Sequence, residues 1–222
     1  LVSHPEDLNL KPYGHDEENQ NEIYKDIGWN AKDAFKTKPF WILYLTFFLG
    51  FNTFLIVIIN LYNYCVDSGI SPIVAAGAPA AIGVGSILGR LFFSGVMANI
   101  LNKVRILFIC YFLQACSIII ILIFSKTLAL YLFGFLFGFF YSGWVPMFPI
   151  ILGDFFGLKS LGKIFGLIGT GFSLAAITGP LIAGLFYDIT DSYFLPFLFA
   201  TIVCYLTAFI TFLINKPREI VS

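Results

Sequence analysis

Six apolar stretches dominate this chain, at about 40–64, 72–98, 104–125, 127–152, 162–187 and 193–215. Each is longer than the roughly 20 residues a helix needs to cross a bilayer. A chain built this way must satisfy its backbone N–H and C=O groups internally, which leaves membrane-spanning helices or a closed barrel. Runs such as SIIIILIF (117–124) are β-branched, but they are continuous and do not alternate polar with apolar residues as barrel strands do. The chain is therefore read as an all-α membrane protein, a six-helix transmembrane bundle. Residues 1–39 precede the bundle and 216–222 follow it.

The charges fit that division. Only 12% of residues are charged, about half the usual share of a soluble domain, and 13 of the 26 charged side chains lie before residue 39. Zero net charge argues against a nucleic-acid partner, which would call for a basic face. Residues 1–28 read as an exposed, poorly ordered loop, and WNAKDAFKTK (29–38) as a short amphipathic helix on the membrane surface with Trp29 and Phe35 inward. The opening LVSHPEDLNL lacks the pattern of a secretory signal and reads as cut from something longer. With six spans both ends share a side. Eleven Lys and Arg residues fall on that side against Lys126 alone opposite, so both ends are expected to be cytoplasmic, in a plasma membrane or a bacterial inner membrane. The four cysteines show no CxxC or Cys/His spacing and read as small hydrophobes.

Glycine is distributed by span. The second holds Gly77, Gly83, Gly85, Gly89 and Gly95, and the fifth holds Gly162, Gly166, Gly169, Gly171, Gly179 and Gly184. The third and sixth have none. Small residues let helix backbones approach closely, so spans two and five are expected at the centre and three and six at the periphery. That pattern repeats every three helices, and three is odd, so the repeat is inverted, as in many transporters.

Three stretches carry a family resemblance. HPEDLNLKPYG (4–14) with DAFKTKPFWILY (33–44), LGRLFFSGVMANILNKVRIL (88–107), and FGLKSLGKIFGLIGTGFSLAAITGPLIAGLFYDITDSY (156–193) resemble the C-terminal half of a major facilitator superfamily transporter. Within it they are most similar to the oxalate/formate antiporter and monocarboxylate transporter branch. The resemblance covers nearly the whole chain and implies half of a twelve-helix fold, with a missing N-terminal six-helix half as partner. It also implies a gating loop after the second span, carried here by Gly95, Asn99 and Lys103. Asn99 replaces the acid usual there, and the fifth span lacks the lysine of some oxalate-type members.

Arg90 is the one charged residue in the run from Gly69 to Lys103. A charge at mid-bilayer costs about 2.5–3.5 kcal/mol on insertion scales. Nine residues separate it from Asn99, about 13 Å along a helix, so snorkelling reaches only part of the way. Either it is a structural arginine bonded to carbonyls, Asn52 or Asn60, or it is a cation in a water-filled cavity that pairs with a carboxylate. No Asp or Glu lies inside any of the six stretches. Further candidate lining residues are Asn52 and Asn60 on the first span, Tyr141 and Trp144 on the fourth, and Thr170 and Ser173 on the fifth. Helix–helix bonding competes with lining for the asparagines, and aromatic packing competes for Trp144. Pro146 and Pro149 should break the fourth span.

These features point to secondary active transport of a small organic anion by alternating access, driven by a proton, a counter-anion or the substrate gradient. The alternative is a half-transporter with no transport activity of its own. No phosphate-binding G-x-x-x-x-G-K-[ST] pattern occurs, and no acid, histidine or Ser/His set lies at membrane depth, so neither an ATP-driven pump nor an enzyme is expected. No cofactor or metal is expected either.

Overall fold

A computed structural model describes residues 28–124 and 126–217, with the side chain of Asn99 outside that description. The expected loop over 1–28 lies almost entirely outside the described residues. A short helix α1 (Ala31–Phe35) leads into α2 (Lys38–Asp67). The second span comprises α3 (Pro72–Arg90), a π-helical stretch Leu91–Met97 and the single turn α4 (Ala98–Ile100). Then come α5 (Lys103–Ile123), α6 (Thr127–Trp144), α7 (Met147–Phe156), α8 (Leu161–Thr190) and α9 (Phe194–Ile210), closed by a 3₁₀ turn, Thr211–Leu213. Six of these helical segments are long and apolar enough to cross a membrane.

Local chemistry sets the ends. Proline occupies the first turns of α2 and α3, where its missing N–H is one the helix leaves unpaired anyway. Thr37 caps α2 by accepting from the Phe40 N–H, and Asn102 caps α5 by accepting from Val104. The fourth span breaks between Trp144 and Met147, at Pro146, where proline cannot supply the next backbone bond.

The packing has the symmetry of an inverted repeat. Spans one to three are α2, α3 and α5; spans four to six are α6/α7, α8 and α9. Helix α3 packs chiefly on α6, and its counterpart α8 packs chiefly on α2. Helix α5 packs on α6 as α9 packs on α2, and α5 meets α9 between them. Exchanging the two triplets leaves this pattern unchanged, so the bundle is two inverted three-helix repeats.

The glycine-rich spans do not sit at the centre of this bundle. The most apolar parts of the second span, Pro72–Met97, and of α8 are 28% buried, against 50% for the other four spans. Each buries one stripe against one neighbour. On α3 it is Ala75, Ala78, Ile82, Gly85 and Gly89, at the alternating three- and four-residue spacing of a helix seam. A methyl on Gly85 would lie 2.9 Å from the Phe135 carbonyl carbon, and one on Gly138 2.8 Å from that of Ile82, so these backbones are in direct contact. By contrast Gly83 on α3 and Gly162, Gly166, Gly169 and Gly184 on α8 have nothing within 4 Å. Their small surfaces face away from the six helices.

Helices α2 and α8 run parallel. Asn52 Nδ2 donates to Thr178 Oγ1 at 2.8 Å, and the Thr170 and Tyr44 hydroxyls lie 3.3 Å apart. Both pairs are separated by 126 residues, so the register holds over two turns. At one end of the bundle, which carries Lys38, Lys103, Arg105, Lys159 and Lys163, the chain before α2 is docked. Gly28 bridges to Gly157, Trp29 N–H donates to Phe156 O at 2.8 Å, and the two rings meet edge to face. Gly157 has φ 75°, which glycine adopts without strain. Trp29 packs on the core, while Phe35 is exposed and lies against Phe40 and Trp41.

Candidate functional site

The four spans α2, α3, α6 and α8 bring one cation and a group of rings together. Gly89 packs on α6 between Phe139 and Ser142. That contact sets Arg90 at the level of Tyr141, within electrostatic reach of its phenol. The Arg90 side chain is exposed and has neither hydrogen bond nor ion pair among the described residues, where the ion pairs are Lys36–Asp33 and Lys103–Asp154. Immediately after it the helix widens into the π turn Leu91–Met97, a form found mostly as short segments at functional sites. Ser94, inside that turn, has a buried hydroxyl oxygen without a hydrogen-bond partner among the described residues.

Tyr141 belongs to an aromatic stack. Phe54 of α2 lies between it and Phe137, with ring centroids 3.9 Å from Tyr141 at 13° and 6.0 Å from Phe137 at 10°. Phe51 touches both sides of the site: its ring meets Tyr141 at 6.2 Å and Phe172 of α8 at 4.9 Å, both edge to face. Phe172 is 42% exposed and is flanked on its helix by exposed Thr170 and Ser173.

The other candidates divide. Asn52 is 3% exposed, and its amide is spent on Thr178, so it binds helices together. Asn60 Nδ2 donates to the Ile56 carbonyl one turn back and reaches no other span. Trp144 is fully buried, which favours the aromatic-packing alternative over the lining one. Its Nε1 donates to Gln114 Oε1 at 2.8 Å and its ring stacks on Tyr111. The Gln114 Nε2 has no partner among the described residues. Arg90, Thr170 and Ser173 are exposed, and Tyr141 is half-buried.

At the basic end Lys103 finds an acid from elsewhere. Its Nζ lies 2.7 Å from Asp154 Oδ2 at the end of α7, with both side chains partly exposed. Gly95 and Asn99 lie between this lysine and Arg90. Asp154 was detectable in advance, since it is the one acidic residue between Asp67 and Asp188. Phe51, Phe54, Phe172 and Gln114 carried no such signal in a chain with 27 phenylalanines. Among the described residues no group of three or more His, Cys, Asp or Glu side chains could hold a metal ion.

Comparison with known proteins decides the family. The model of the Major Facilitator Superfamily matches residues 42–221. This chain belongs to that superfamily. It is a multi-pass membrane protein, and its curated relatives are monocarboxylate transporters. It is 28% identical over 158 residues to human monocarboxylate transporter 14, covering 69% of this chain and 29% of that protein. It is 27% identical over 169 residues to monocarboxylate transporter 12 of Xenopus laevis, covering 72% of this chain and 36% of that one. The chain thus spans about a third of the length of these relatives. Its fold is similar to a solved peptide transporter POT in complex with sulfate, with TM-score 0.70 and 17% identity over 83% of this chain and 41% of that one. A mutant of that transporter in complex with alafosfalin gives 0.67 at 19% identity, over 79% and 38%.

Proposed function

We propose that these six helices are the C-terminal half of a secondary transporter that moves a small organic anion by alternating access. The reading rests above all on Arg90, a cation at membrane depth that is exposed and has neither hydrogen bond nor ion pair among the described residues, while Asn52 and Asn60 have found protein partners. A guanidinium there recognises a carboxylate through two parallel hydrogen bonds. The likeness to monocarboxylate transporters supports the same substrate class. A second six-helix half covers the exposed faces of α3 and α8. The basic end faces the cytoplasm of a plasma membrane, and the Lys103–Asp154 pair closes that side as part of the gate. A proton, a counter-anion or the substrate gradient supplies the drive. By itself this chain inserts without transporting, because the opposite wall of the cavity is absent.

The test compares uptake and surface abundance of the full-length protein side by side. Arg90→Gln abolishes saturable anion uptake at normal abundance, and Arg90→Lys retains weak uptake because it keeps the charge and loses the planar fork. A structural arginine gives a different result: both variants lose abundance together, since its bonded acceptors go unsatisfied at about 1–3 kcal/mol each. Normal uptake by Arg90→Gln at normal abundance overturns the proposal.

A further inference from the structure

The second span changes its hydrogen-bond register just past Arg90. The Leu91 N–H donates to Ile87 and Leu88, four and three residues back, but the Ala98 N–H reaches Phe93, five back. Between them lies the π stretch Leu91–Met97. Ser94 carries the mark of that change. Elsewhere in the bundle helical hydroxyls donate to their own backbone: Thr178 to Leu174, Thr201 to Phe197 and Thr207 to Val203, each four residues back, and Ser117 to Gln114 and Ser142 to Phe139, three back. For Ser94 the carbonyls at those positions belong to Arg90 and Leu91. It bonds neither, and its buried hydroxyl oxygen is the only one without a hydrogen-bond partner among the described residues. An open buried donor is a standing cost. Return to the α-helical register removes it by bringing those carbonyls back to the hydroxyl.

The two sides of the stretch are held unequally. Upstream, Gly85 and Gly89 press on the α6 backbone, and Ser86 Oγ donates to Gly138 O at 3.3 Å. Within the stretch Phe93 is the buried residue, its ring against Phe139 and Phe140, while Leu91, Val96 and, beyond them, Ile100 are exposed. A change of register therefore leaves Arg90 in place and turns the chain that leads to Lys103 and its partner Asp154. We infer that Leu91–Met97 is a two-register joint, π-helical in this structure and α-helical, with Ser94 bonded to its own backbone, in the other state of the access cycle. This rests on the transport reading above. It makes Ser94 a positioning residue, which sets the basic end of the span relative to Arg90.

Ser94→Ala and Ser94→Thr test it in the full-length protein. Alanine has no hydroxyl bond to recover, so it favours the π register by about 5–150-fold, whereas threonine keeps the hydroxyl. Spin labels on unnatural residues at Ile73 and Ile100, exposed positions at the two ends of the span, report the register as a distance. The parent shows two distances. Ser94→Ala loses one of them, melts no lower than the parent, and exchanges labelled lactate across proteoliposomes at least about fivefold more slowly at equal abundance. Ser94→Thr restores both the distance and the exchange. A single distance in the parent, or two in unchanged proportion in Ser94→Ala, overturns the joint. So does a Ser94→Ala protein that melts lower, because its hydroxyl was then bonded in the resting structure, or a threonine variant that behaves like alanine. Arg90-dependent lactate exchange that is unchanged in Ser94→Ala, despite the lost distance, detaches the joint from the cycle and overturns the inference. The distances depend on no substrate. Two that respond to Ser94→Ala, with lactate exchange absent or indifferent to Arg90→Gln, uphold the two registers and overturn the transport reading instead.

Discussion

The contact between α3 and α6 makes Gly138, with Gly85 and Gly89, one of the least tolerant positions in the bundle. Adding one methyl there, Gly138→Ala, places carbon 2.8 Å from the Ile82 carbonyl carbon and 3.0 Å from its Cα. Carbon pairs prefer about 3.5–4.0 Å. Both partners are backbone atoms within a helix, so no side chain can rotate away and the helices themselves must separate. A gap of about 0.5–1 Å forfeits about a quarter to a half of each local dispersion well. With a few tens of carbon pairs at about 0.1–0.2 kcal/mol each, the loss is about 1–2 kcal/mol, inside the usual overpacking range of about 1–3. Helix propensity works the other way, since alanine is worth up to about 1 kcal/mol over glycine, but this gain is common to any helical glycine. Gly171→Ala is therefore the control. Its methyl would meet Phe48 Cβ at 3.5 Å and Phe47 Cδ1 at 3.6 Å, ordinary contacts with side chains. Cys65, Cys110 and Cys204 are buried and unbridged, so a thiol-reactive dye reports their exposure as the full-length protein melts. Gly138→Ala should fall about 3–6 °C below Gly171→Ala in Tm. Equal melting of the two variants refutes the backbone-contact argument.

Two further outcomes follow from the interior and from the basic end. Trp144→Phe leaves both ends of the buried Gln114 amide unpaired and should cost about 1–3 kcal/mol, whereas Trp144→Phe with Gln114→Leu removes the whole polar group and should melt close to the parent protein; a double variant no better than Trp144→Phe alone contradicts this. Asp154→Asn breaks an ion pair whose side chains are 34% and 46% exposed, so Tm should move by less than about 2 °C and the difference should vanish in high salt; a larger, salt-independent fall means that the pair is held away from solvent.

The spans were legible because bilayer thickness acts directly on sequence length, and proline marked the starts of α2 and α3 and the break at Pro146. The three-helix repeat was legible in glycine counts, yet those counts misplaced α3 and α8. Glycine permits close approach without naming the neighbour: Gly85 and Gly89 meet α6, while Gly162 and Gly166 meet nothing among the described residues. The site was legible where a residue type was costly in its setting, as with Arg90. It was hidden where residue type was common. Trp144 and Phe172 are both aromatic and both near polar residues, but only tertiary packing makes the first wholly buried and the second partly open. The π turn after Arg90 was likewise unmarked, because it depends on hydrogen-bond registration and not on any one side chain.

The unequal seams of the bundle divide the site between two carriers. Arg90 and Tyr141 ride on α3 and α6, whose backbones press closest; Phe51, Phe54 and Phe172 ride on α2 and α8, where a methyl on Gly179 would stand 3.4 Å from the Asn52 carbonyl oxygen and hydroxyls are shared. Any rearrangement of the half-bundle therefore keeps the guanidinium and its phenol travelling as one body. The Phe54–Tyr141 stack, with ring centroids 3.9 Å apart, is a contact that joins the two pairs.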